Sequence, residues 1–213
     1  MNIKTAHFGN QLTLLEAIDD RSFYNIAHTA DDLISGIPTA RKKIKKVKGE
    51  ILLAVLKKTE IDAWFSNDSF KAKRQVLDRE RSLKVQQKFN AFFEVSSTYN
   101  LLALIMEAKS QFRLRPKREA IYKNLLSSLK QSIYENITVY EAMKNNRNHV
   151  RRVGRKVHGK CIGTTLLTKG LEFDTVVLLD AHKFNSPEHL YVALSRCCKK
   201  LIIFTNDMQL SPY

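Results

Sequence analysis

The stretch TTLLTKGLEFD, Thr164–Asp174, and the apolar run TVVLL, Thr175–Leu179, that follows it decide the fold. An unbroken apolar run rich in β-branched residues is typical of a strand buried on both faces of a parallel sheet. Cys161–Leu167 and Leu201–Thr205 are predicted as two further strands. Ser186-Pro187-Glu188 predicts the start of a helix that runs to about Cys198, because it offers a hydroxyl N-cap, a proline at the first helical position and an acid in the first turn. This order of elements predicts an α/β layer at the C-terminus.

A mainly α-helical, basic region precedes this layer. A stripe of Ile44, Val47, Ile51 and Val55, at spacings of three and four, predicts one amphipathic helix. Near the N-terminus, Ile3–Phe8 is predicted as a strand, and Leu12, Leu14, Leu15 and Ile18 as one or two helical turns. Helices are predicted over Arg21–Ser35, Pro38–Thr59, Ser69–Val95, Tyr99–Phe112, a stretch from Pro116 onward, and Val139–Val150.

The aromatic side chains of the helical region favour a core over a nucleobase platform. Val85, Phe89, Phe92 and Phe93 recur at helical spacing. They lack the interleaved glycine and arginine of an RNA-binding pattern. They are therefore predicted to be buried.

The charge of the chain is concentrated in this helical region. The formal net charge is +15, and residues 160–213 carry only six Lys/Arg against five Asp/Glu, so residues 1–159 hold +14. Such an excess favours a polyanionic partner, usually nucleic acid. Two clusters contribute, and each suits either a phosphate-contacting face or an ordinary solvated surface. The first contains Arg41, Lys42, Lys43, Lys45, Lys46 and Lys48, and the second Arg147, Arg151, Arg152, Arg155, Lys156 and Lys160.

Composition argues against several classes of protein. No run of 18 apolar residues occurs, and Met1–His7 lacks the apolar core of a secretory signal, so we expect a cytoplasmic protein with no membrane partner. The three cysteines, Cys161, Cys197 and Cys198, do not suggest a disulfide framework. None has metal-ligand spacing, and no metal site is predicted.

The TKGLE segment offers chemistry suited to a nucleotide. Ligands of parallel α/β sheets sit at the carboxyl ends of strands, and this segment is predicted to lie just past one. Gly170 allows a sharp turn or close approach to a phosphate. Lys169 supplies positive charge, and the Glu172 carboxylate can accept a hydrogen bond from a ribose hydroxyl.

Hydroxyl and guanidinium groups on either side extend this chemistry. Thr164 and Thr165 can donate to a nucleic-acid phosphate. Arg196, predicted on the helix, has the planar fork that suits phosphate oxygens. Such an arginine can stabilise charge on a transferring γ-phosphoryl group.

Together, TKGLEFD and LYVALSR resemble motifs V and VI of UvrD/Rep-type superfamily 1 DNA helicases, over about residues 160–206. The resemblance implies that residues 158–213 are part of a second RecA-like domain with a partial parallel sheet. Residues 1–157 then occupy the place of that family's 2B-type accessory domain. It also implies that Glu172 holds the ribose, that Arg196 is the arginine finger and that Tyr191 couples its helix to the nucleotide site. Thr164 and Thr165 would face single-stranded DNA.

Two departures from the family pattern change what is expected. Leu166 stands where the family usually has a histidine, so the contact that couples DNA to ATP is in question. No G-x-x-x-x-G-K-[ST] phosphate loop occurs in the 213 residues. We therefore expect ATP to bind only when a polypeptide carrying the P-loop, such as a helicase N-terminal protein, completes the site, and we expect no ATPase activity from the chain alone.

Three interpretations remain open. The chain is the C-terminal portion of a helicase, whether a fragment, a split subunit or a truncated reading frame. Alternatively, it is a stand-alone basic module that binds nucleic acid, with the α/β part as a scaffold. The third interpretation is an inactive remnant that retains the fold.

Overall fold

A computed structural model describes residues 12–15, 21–36, 44–66, 69–153, 157, 159–207 and 209–210. The chain divides into two compact units, a helical unit (Ile18–His149) and an α/β unit (Met1–Ala17 with Val150–Tyr213). The predicted fold class, an α/β part preceded by a helical region, is confirmed. Within the described ranges, no helix is long and apolar enough to cross a membrane.

In the described residues of the helical part, we number seven α-helices, and a π-helical segment joins them. The predicted helix over Arg21–Ser35 is confirmed with the same bounds, and that over Tyr99–Phe112 within one residue. Of the predicted stripe, Val47, Ile51 and Val55 are fully buried and Ile44 packs against the core. The helices are α1 (Arg21–Ser35), the π-helical Val47–Leu52 continued by α2 (Leu53–Val55), α3 (Lys58–Trp64), α4 (Val76–Glu94), α5 (Thr98–Gln111), α6 (Glu119–Glu135) and α7 (Val139–Val153).

One predicted helix is interrupted by pairing with a distant segment. The helix predicted over Pro38–Thr59 ends at Val55, because Leu56 is extended and forms an antiparallel bridge with Pro116. Pro116 consequently lies before α6 rather than in its first turn. Two backbone hydrogen bonds flank the bridge, from Lys57 N to Arg115 O (3.1 Å) and from Lys117 N to Val55 O (2.8 Å).

A second bridge delays the start of α4. The predicted helix from Ser69 begins only at Val76, since Phe70 forms an antiparallel bridge with Phe65. Lys71 N donates to Trp64 O at 2.9 Å, which holds the two sides of this turn together. Both errors have the same cause: a pairing between segments overrides a locally helical pattern.

Aromatic rings fill the centre of the helical unit. Phe89 packs edge-on against Phe70 with ring centroids 5.3 Å apart, and against Phe65 at 6.0 Å. Phe112 stacks on Trp64 at 4.2 Å. The core positions predicted on α4 are confirmed, with Val85, Phe89 and Phe92 buried and Phe93 partly buried against them.

The start of α7 is capped by a residue from α1. Asp31 accepts hydrogen bonds from the backbone N–H groups of Val139 (2.7 Å) and Tyr140 (2.9 Å). Thr138 and Glu141 add reciprocal bonds at the same helix start, with Glu141 N donating to Thr138 Oγ1 at 3.1 Å. Two otherwise unsatisfied donors and the positive end of the helix dipole thus meet one carboxylate.

Asp31→Ala should therefore destabilise the helical unit. We expect a loss of about 1–2 kcal/mol in the free energy of unfolding, measured by urea denaturation, because two caps to a helix N-terminus are lost. Asp32→Ala is the matched control, as Asp32 is exposed on the same helix. Equal losses in the two variants would contradict the capping role.

Glu60 ties α3 to the strand-like segment before α6. Its carboxylate accepts from the Arg115 backbone N–H (2.6 Å) and from the Arg115 guanidinium. Burial raises the pKa of Glu60, but the hydrogen bonds and charge of Arg115, with the charge of Lys57, outweigh it and leave the pKa below its usual value.

The lowered pKa gives this contact a defined pH dependence. Its contribution to stability is complete above the carboxyl's unfolded-state pKa and is lost as the pH falls through the lower folded-state pKa. Glu60→Gln should therefore flatten the dependence of unfolding free energy on pH as the pH falls below the ordinary pKa of a glutamate carboxyl. The same mutation at Glu80, exposed on α4, serves as the control and should leave the slope unchanged.

Among the residues of the α/β unit that the structure describes, two parallel strand pairs form the sheet part. β1 (Leu12–Leu14) pairs with β2 (Lys160–Ile162), and β3 (Phe173–Leu178) pairs with β4 (Cys197–Ile203). In sequence, α8 (Thr165–Thr168) lies between β2 and β3, and a 3₁₀ turn (Ala181–Lys183) and α9 (Pro187–Leu194) lie between β3 and β4.

One helix start and one strand of the α/β unit are present as predicted, although the predicted burial of the strand is wrong. The helix start at Ser186 is confirmed, with His189 N donating to Ser186 Oγ at 3.4 Å. The strand predicted over Thr175–Leu179 is present, but burial on both faces is wrong, since Val177 is 48% exposed.

Three boundaries in the α/β unit are corrected. Leu12–Leu14 is a strand rather than a helical turn, because it pairs with β2. The strand predicted over Cys161–Leu167 ends at Ile162, and the next turn is helical. Cys197 and Cys198 begin β4 instead of ending the helix. The strand predicted over Ile3–Phe8 lies outside the described residues.

Candidate functional site

The two threonines lie at the start of α8. The Thr164 carbonyl accepts from Leu167 N (3.0 Å) and Thr168 N (3.1 Å), so this residue opens the helical turn. The Thr164 side chain is exposed, and that of Thr165 is half-buried. Leu166 projects outward with 77% of its surface exposed. Leu166, which stands where UvrD/Rep-type helicases usually have a histidine, is thus open to solvent.

The TKGLE segment forms a tight turn after α8. Leu171 N donates to Thr168 O at 3.0 Å, and Gly170 has φ +82°, a left-handed conformation that glycine adopts easily. A Cβ built on Gly170 would meet no described atom within 4 Å. The backbone conformation therefore favours glycine at this position, and the close approach of a phosphate stays a prediction.

Gly170→Ala should destabilise the α/β unit by about 1 kcal/mol, because alanine is strained at a positive φ. Gly49→Ala is the control, since Gly49 is helical and a Cβ there also meets no described atom within 4 Å. That variant should be neutral or slightly stabilising. Thermal denaturation of both variants measures the difference, and an equal effect at the two glycines would contradict this interpretation.

The turn lies at a different sheet edge from the one predicted. The helical turn α8 separates Lys169 and Glu172 from the carboxyl end of β2, because that strand stops at Ile162. Glu172 instead directly precedes β3, and Arg196 directly precedes β4. These strands are parallel neighbours, so both residues stand at the amino edge of the same strand pair.

Arg196 bonds extensively to the turn and to the end of α9. Its Nε donates to Val192 O at 3.0 Å, its Nη1 to Leu171 O at 3.2 Å and its Nη2 to Ser195 Oγ at 2.9 Å. Its own carbonyl accepts from Phe173 N at 2.9 Å. The structure thus brings Arg196 and the segment around Glu172 together.

The Glu172 carboxylate is exposed at this edge. Cys198 Sγ lies 3.9 Å from Glu172 Oε2, at the limit of a weak S–H donor contact. Lys169 is exposed on the other side of the turn. The site therefore presents an acceptor and a cation to solvent.

Tyr191 is available at the surface of α9, with 71% of its area exposed. α8 and α9 contact each other, so the elements that carry the threonines and Tyr191 are neighbours.

At the start of α9, Ser186 donates to Glu188, and this hydrogen bond lowers the pKa of the Glu188 carboxyl.

The basic candidates are spread along the chain. Lys45 is exposed and Lys46 half-buried beside the π-helical segment, while Arg151 and Arg152 lie in the last turn of α7. Arg41, Lys42 and Lys43 lie outside the described residues.

Three other lysines have a structural role that the sequence did not indicate. Lys48, Lys71 and Lys73 donate to the carbonyls of Ser66, Asp62 and Ala63, at 2.6, 2.7 and 2.6 Å. These carbonyls lie at or just beyond the C-terminus of α3, where cations are favourable. Lys48 therefore serves the fold as well as the charge of its cluster.

Sequence reasoning missed three partners of the Arg196 side chain, the carbonyls of Leu171 and Val192 and the hydroxyl of Ser195. Leu171 contributes a backbone carbonyl, which carries no signal in residue type. Ser195 accepts from Arg196 and donates to Val192 O at 3.2 Å. Its place directly before the arginine was the only available signal. In the described part of the chain, no group of three His, Cys, Asp or Glu residues could hold a metal ion.

Comparison with protein families relates much of the chain to a known family. The model of the viral superfamily 1 RNA helicase core domain matches residues 74–205, which is more than half of the 213 residues. It includes α4–α7 as well as the motif region, so the relationship extends well before residue 160. No curated protein matches the chain. No solved structure matches it either.

Proposed function

The chain belongs to the viral superfamily 1 RNA helicase core domain family, and on this premise we propose that it supplies one wall of a helicase ATP site. In this proposal Glu172 accepts a hydrogen bond from the ribose. Arg196 stabilises the charge on the γ-phosphoryl group during transfer. Gly170 and Tyr191 shape the surroundings of the nucleotide.

The observation that carries the proposal is the arrangement of Glu172 and Arg196. The hydrogen bonds from Arg196 Nη1 to Leu171 O (3.2 Å) and from Phe173 N to Arg196 O (2.9 Å) place them on adjacent strand ends. A ribose acceptor and a phosphate-binding cation can contact two different parts of one nucleotide, its sugar and its phosphates. The pair therefore suits a nucleotide better than either residue does alone.

The remaining groups of the ATP site would come from a P-loop polypeptide. None of the 213 residues forms a G-x-x-x-x-G-K-[ST] motif, whose backbone amides and lysine hold the phosphates. ATP would bind, and turn over, only in the completed site.

The proposed binding partner of this site, besides ATP, is single-stranded nucleic acid. Thr164, Thr165 and Lys169 would contact its phosphates, with the basic residues of the helical unit adding affinity. The sequences of motifs V and VI resemble those of UvrD/Rep-type DNA helicases and favour DNA, while the matched family is one of RNA helicases. The two polymers differ in the 2′-hydroxyl, so each must be tested.

The decisive experiment is affinity purification of the full chain from its native source, followed by an ATPase assay of the co-purifying protein. We expect a P-loop polypeptide, and turnover that rises with single-stranded DNA or RNA. The purified chain alone should show no turnover. Robust Arg196-dependent turnover by the chain alone, or a P-loop partner whose turnover is indifferent to Arg196→Ala, would contradict the proposal.

A stand-alone nucleic-acid-binding module is the second candidate, and the distribution of charge favours it. Residues 1–159 hold +14 of the +15 net charge. If binding resides there, affinity for single strands should survive Arg196→Ala. It should fall, with a shallower salt dependence, when Lys42, Lys43, Lys45 and Lys46 are neutralised together. Fluorescence anisotropy over a salt series measures both effects.

A further inference from the structure

The hydrogen bonds of Arg196 enclose Glu172 from both sides. On the N-terminal side, the guanidinium donates to the carbonyl of Leu171 at 3.2 Å. On the C-terminal side, the backbone N–H of Phe173 donates to the carbonyl of Arg196 at 2.9 Å. The residue directly before β4 thus fixes the peptide groups immediately before and after Glu172.

The guanidinium is itself held firmly on α9. Nε donates to Val192 O (3.0 Å), four residues earlier, and Nη2 donates to Ser195 Oγ (2.9 Å). Ser195 Oγ in turn donates to Val192 O at 3.2 Å. The planar guanidinium therefore reaches three acceptors, Val192 O on α9, Ser195 Oγ and Leu171 O in the turn. The single nitrogen of a lysine side chain cannot reach all three.

These contacts leave part of the guanidinium available. Of its five N–H donors, three are engaged by the described residues, which leaves one on Nη1 and one on Nη2. The side chain is half-buried, so one side of the fork still meets solvent. Holding the turn and contacting a phosphate are thus compatible.

We propose that Arg196 is a positioning residue for Glu172, in addition to the role assigned to it above. It sets where the Glu172 carboxylate stands relative to α9. We call the two hydrogen bonds of Arg196 on either side of Glu172 the clamp. The contact of the Glu172 carboxylate with a ribose rests on the proposed function, whereas the clamp does not. A change at Arg196 should therefore disturb nucleotide binding as well as turnover.

Hydrogen–deuterium exchange on the full chain tests the clamp without nucleotide or partner. In Arg196→Ala, the amides of residues 169–173 should exchange about tenfold faster, because the guanidinium no longer binds the Leu171 carbonyl and the turn opens more often, although the backbone hydrogen bond from Phe173 N to the carbonyl of residue 196 is retained. Arg196→Lys should behave nearly as Arg196→Ala, and Ser195→Ala should show a smaller effect of the same kind. Lys199→Ala, which removes a cation paired with Asp174 on the neighbouring strand, is the control.

The pattern of exchange separates positioning from general destabilisation. Residues 176–178, in the middle of the β3–β4 pair, should change less than about twofold in the Arg196 and Ser195 variants. Unchanged exchange over 169–173 in Arg196→Ala, or an equal rise across both regions in Ser195→Ala, would overturn the proposal. Ser195→Ala keeps the arginine, so it still decides the question if Arg196→Ala fails to fold.

A kinetic test follows where a P-loop polypeptide restores turnover. Ser195→Ala should raise the KM for ATP several-fold and lower kcat less, since it loosens the turn around Glu172 and keeps the cation. A kcat loss with an unchanged KM would overturn the positioning role. Absence of turnover with every partner would count against the proposed function, and the exchange experiment would still decide the clamp.

Discussion

Arg196→Ala should lower the ATP turnover of the helicase completed by a P-loop polypeptide by about a thousandfold, the lower end of the range for arginine fingers. The reason is electrostatic: the transferring phosphoryl group gains charge that a fixed guanidinium stabilises more in the transition state than in the ground state. The clamp on Leu171 adds to the loss, because the turn before Glu172 relaxes at the same time.

The measurement is steady-state ATPase kinetics with saturating single-stranded nucleic acid. Lys183→Ala provides the matched control, as Lys183 is an exposed cation of the same unit whose ammonium pairs with Asp180 at 2.8 Å. It should leave kcat within about twofold, as expected for an exposed ion pair. A wild-type kcat in Arg196→Ala would remove the arginine from the mechanism.

Phe89→Ala should be the most destabilising single change in the helical unit. Phe89 is 1% exposed and contacts the rings of Phe65, Phe70 and Phe93. Truncation leaves a cavity among rings belonging to three separate segments, and we expect a loss of about 3–5 kcal/mol in unfolding free energy. For a domain of ordinary stability that loss removes a large share of the total.

Urea denaturation followed by far-ultraviolet circular dichroism reports this change, because most helices belong to this unit. Leu83→Ala is the control on the same helix, since Leu83 is 55% exposed. It should change stability by less than about 0.5 kcal/mol. If Phe89→Ala were no worse than Leu83→Ala, the aromatic cluster would not be the centre of the core.

Local patterns were sufficient wherever one element determines its own structure. Val47, Ile51 and Val55 marked a buried face by their spacing, and Ser186 marked a helix start by its cap. The sequence failed where a distant segment intervenes. Leu56 is drawn out of a helix by Pro116, and Leu12–Leu14 becomes a strand only because β2 lies beside it.

The same distinction applies to the candidate site. Glu172 and Arg196 were predictable from motif wording, and the structure brings their segments together. The Leu171 carbonyl was not predictable, since a backbone acceptor has no residue type. The amino-edge position depended on where β2 stops, which the apolar run Cys161–Leu167 did not show.

Residues 74–159 show a further limit of motif reading. The family match begins at Arg74, so α4–α7 belong to the matched region although we recognised no helicase motif in them. Buried leucines and phenylalanines at helical spacing occur in any helical core. The relationship of α4–α7 to the helicase family is detected only when the sequence is compared with the family over residues 74–205 as a whole.

The pairing of β1 with β2 affects how the chain can fold during synthesis. These strands are hydrogen-bonded neighbours, yet the whole helical unit lies between them in sequence. On the ribosome, Leu12–Leu14 emerges early and has no pairing partner until Lys160–Ile162 follows. The helical unit depends on nearer contacts and can fold first, as expected for vectorial folding. The α/β unit, with Glu172 and Arg196, can therefore assemble only after the helical unit and residues 160–203 have emerged.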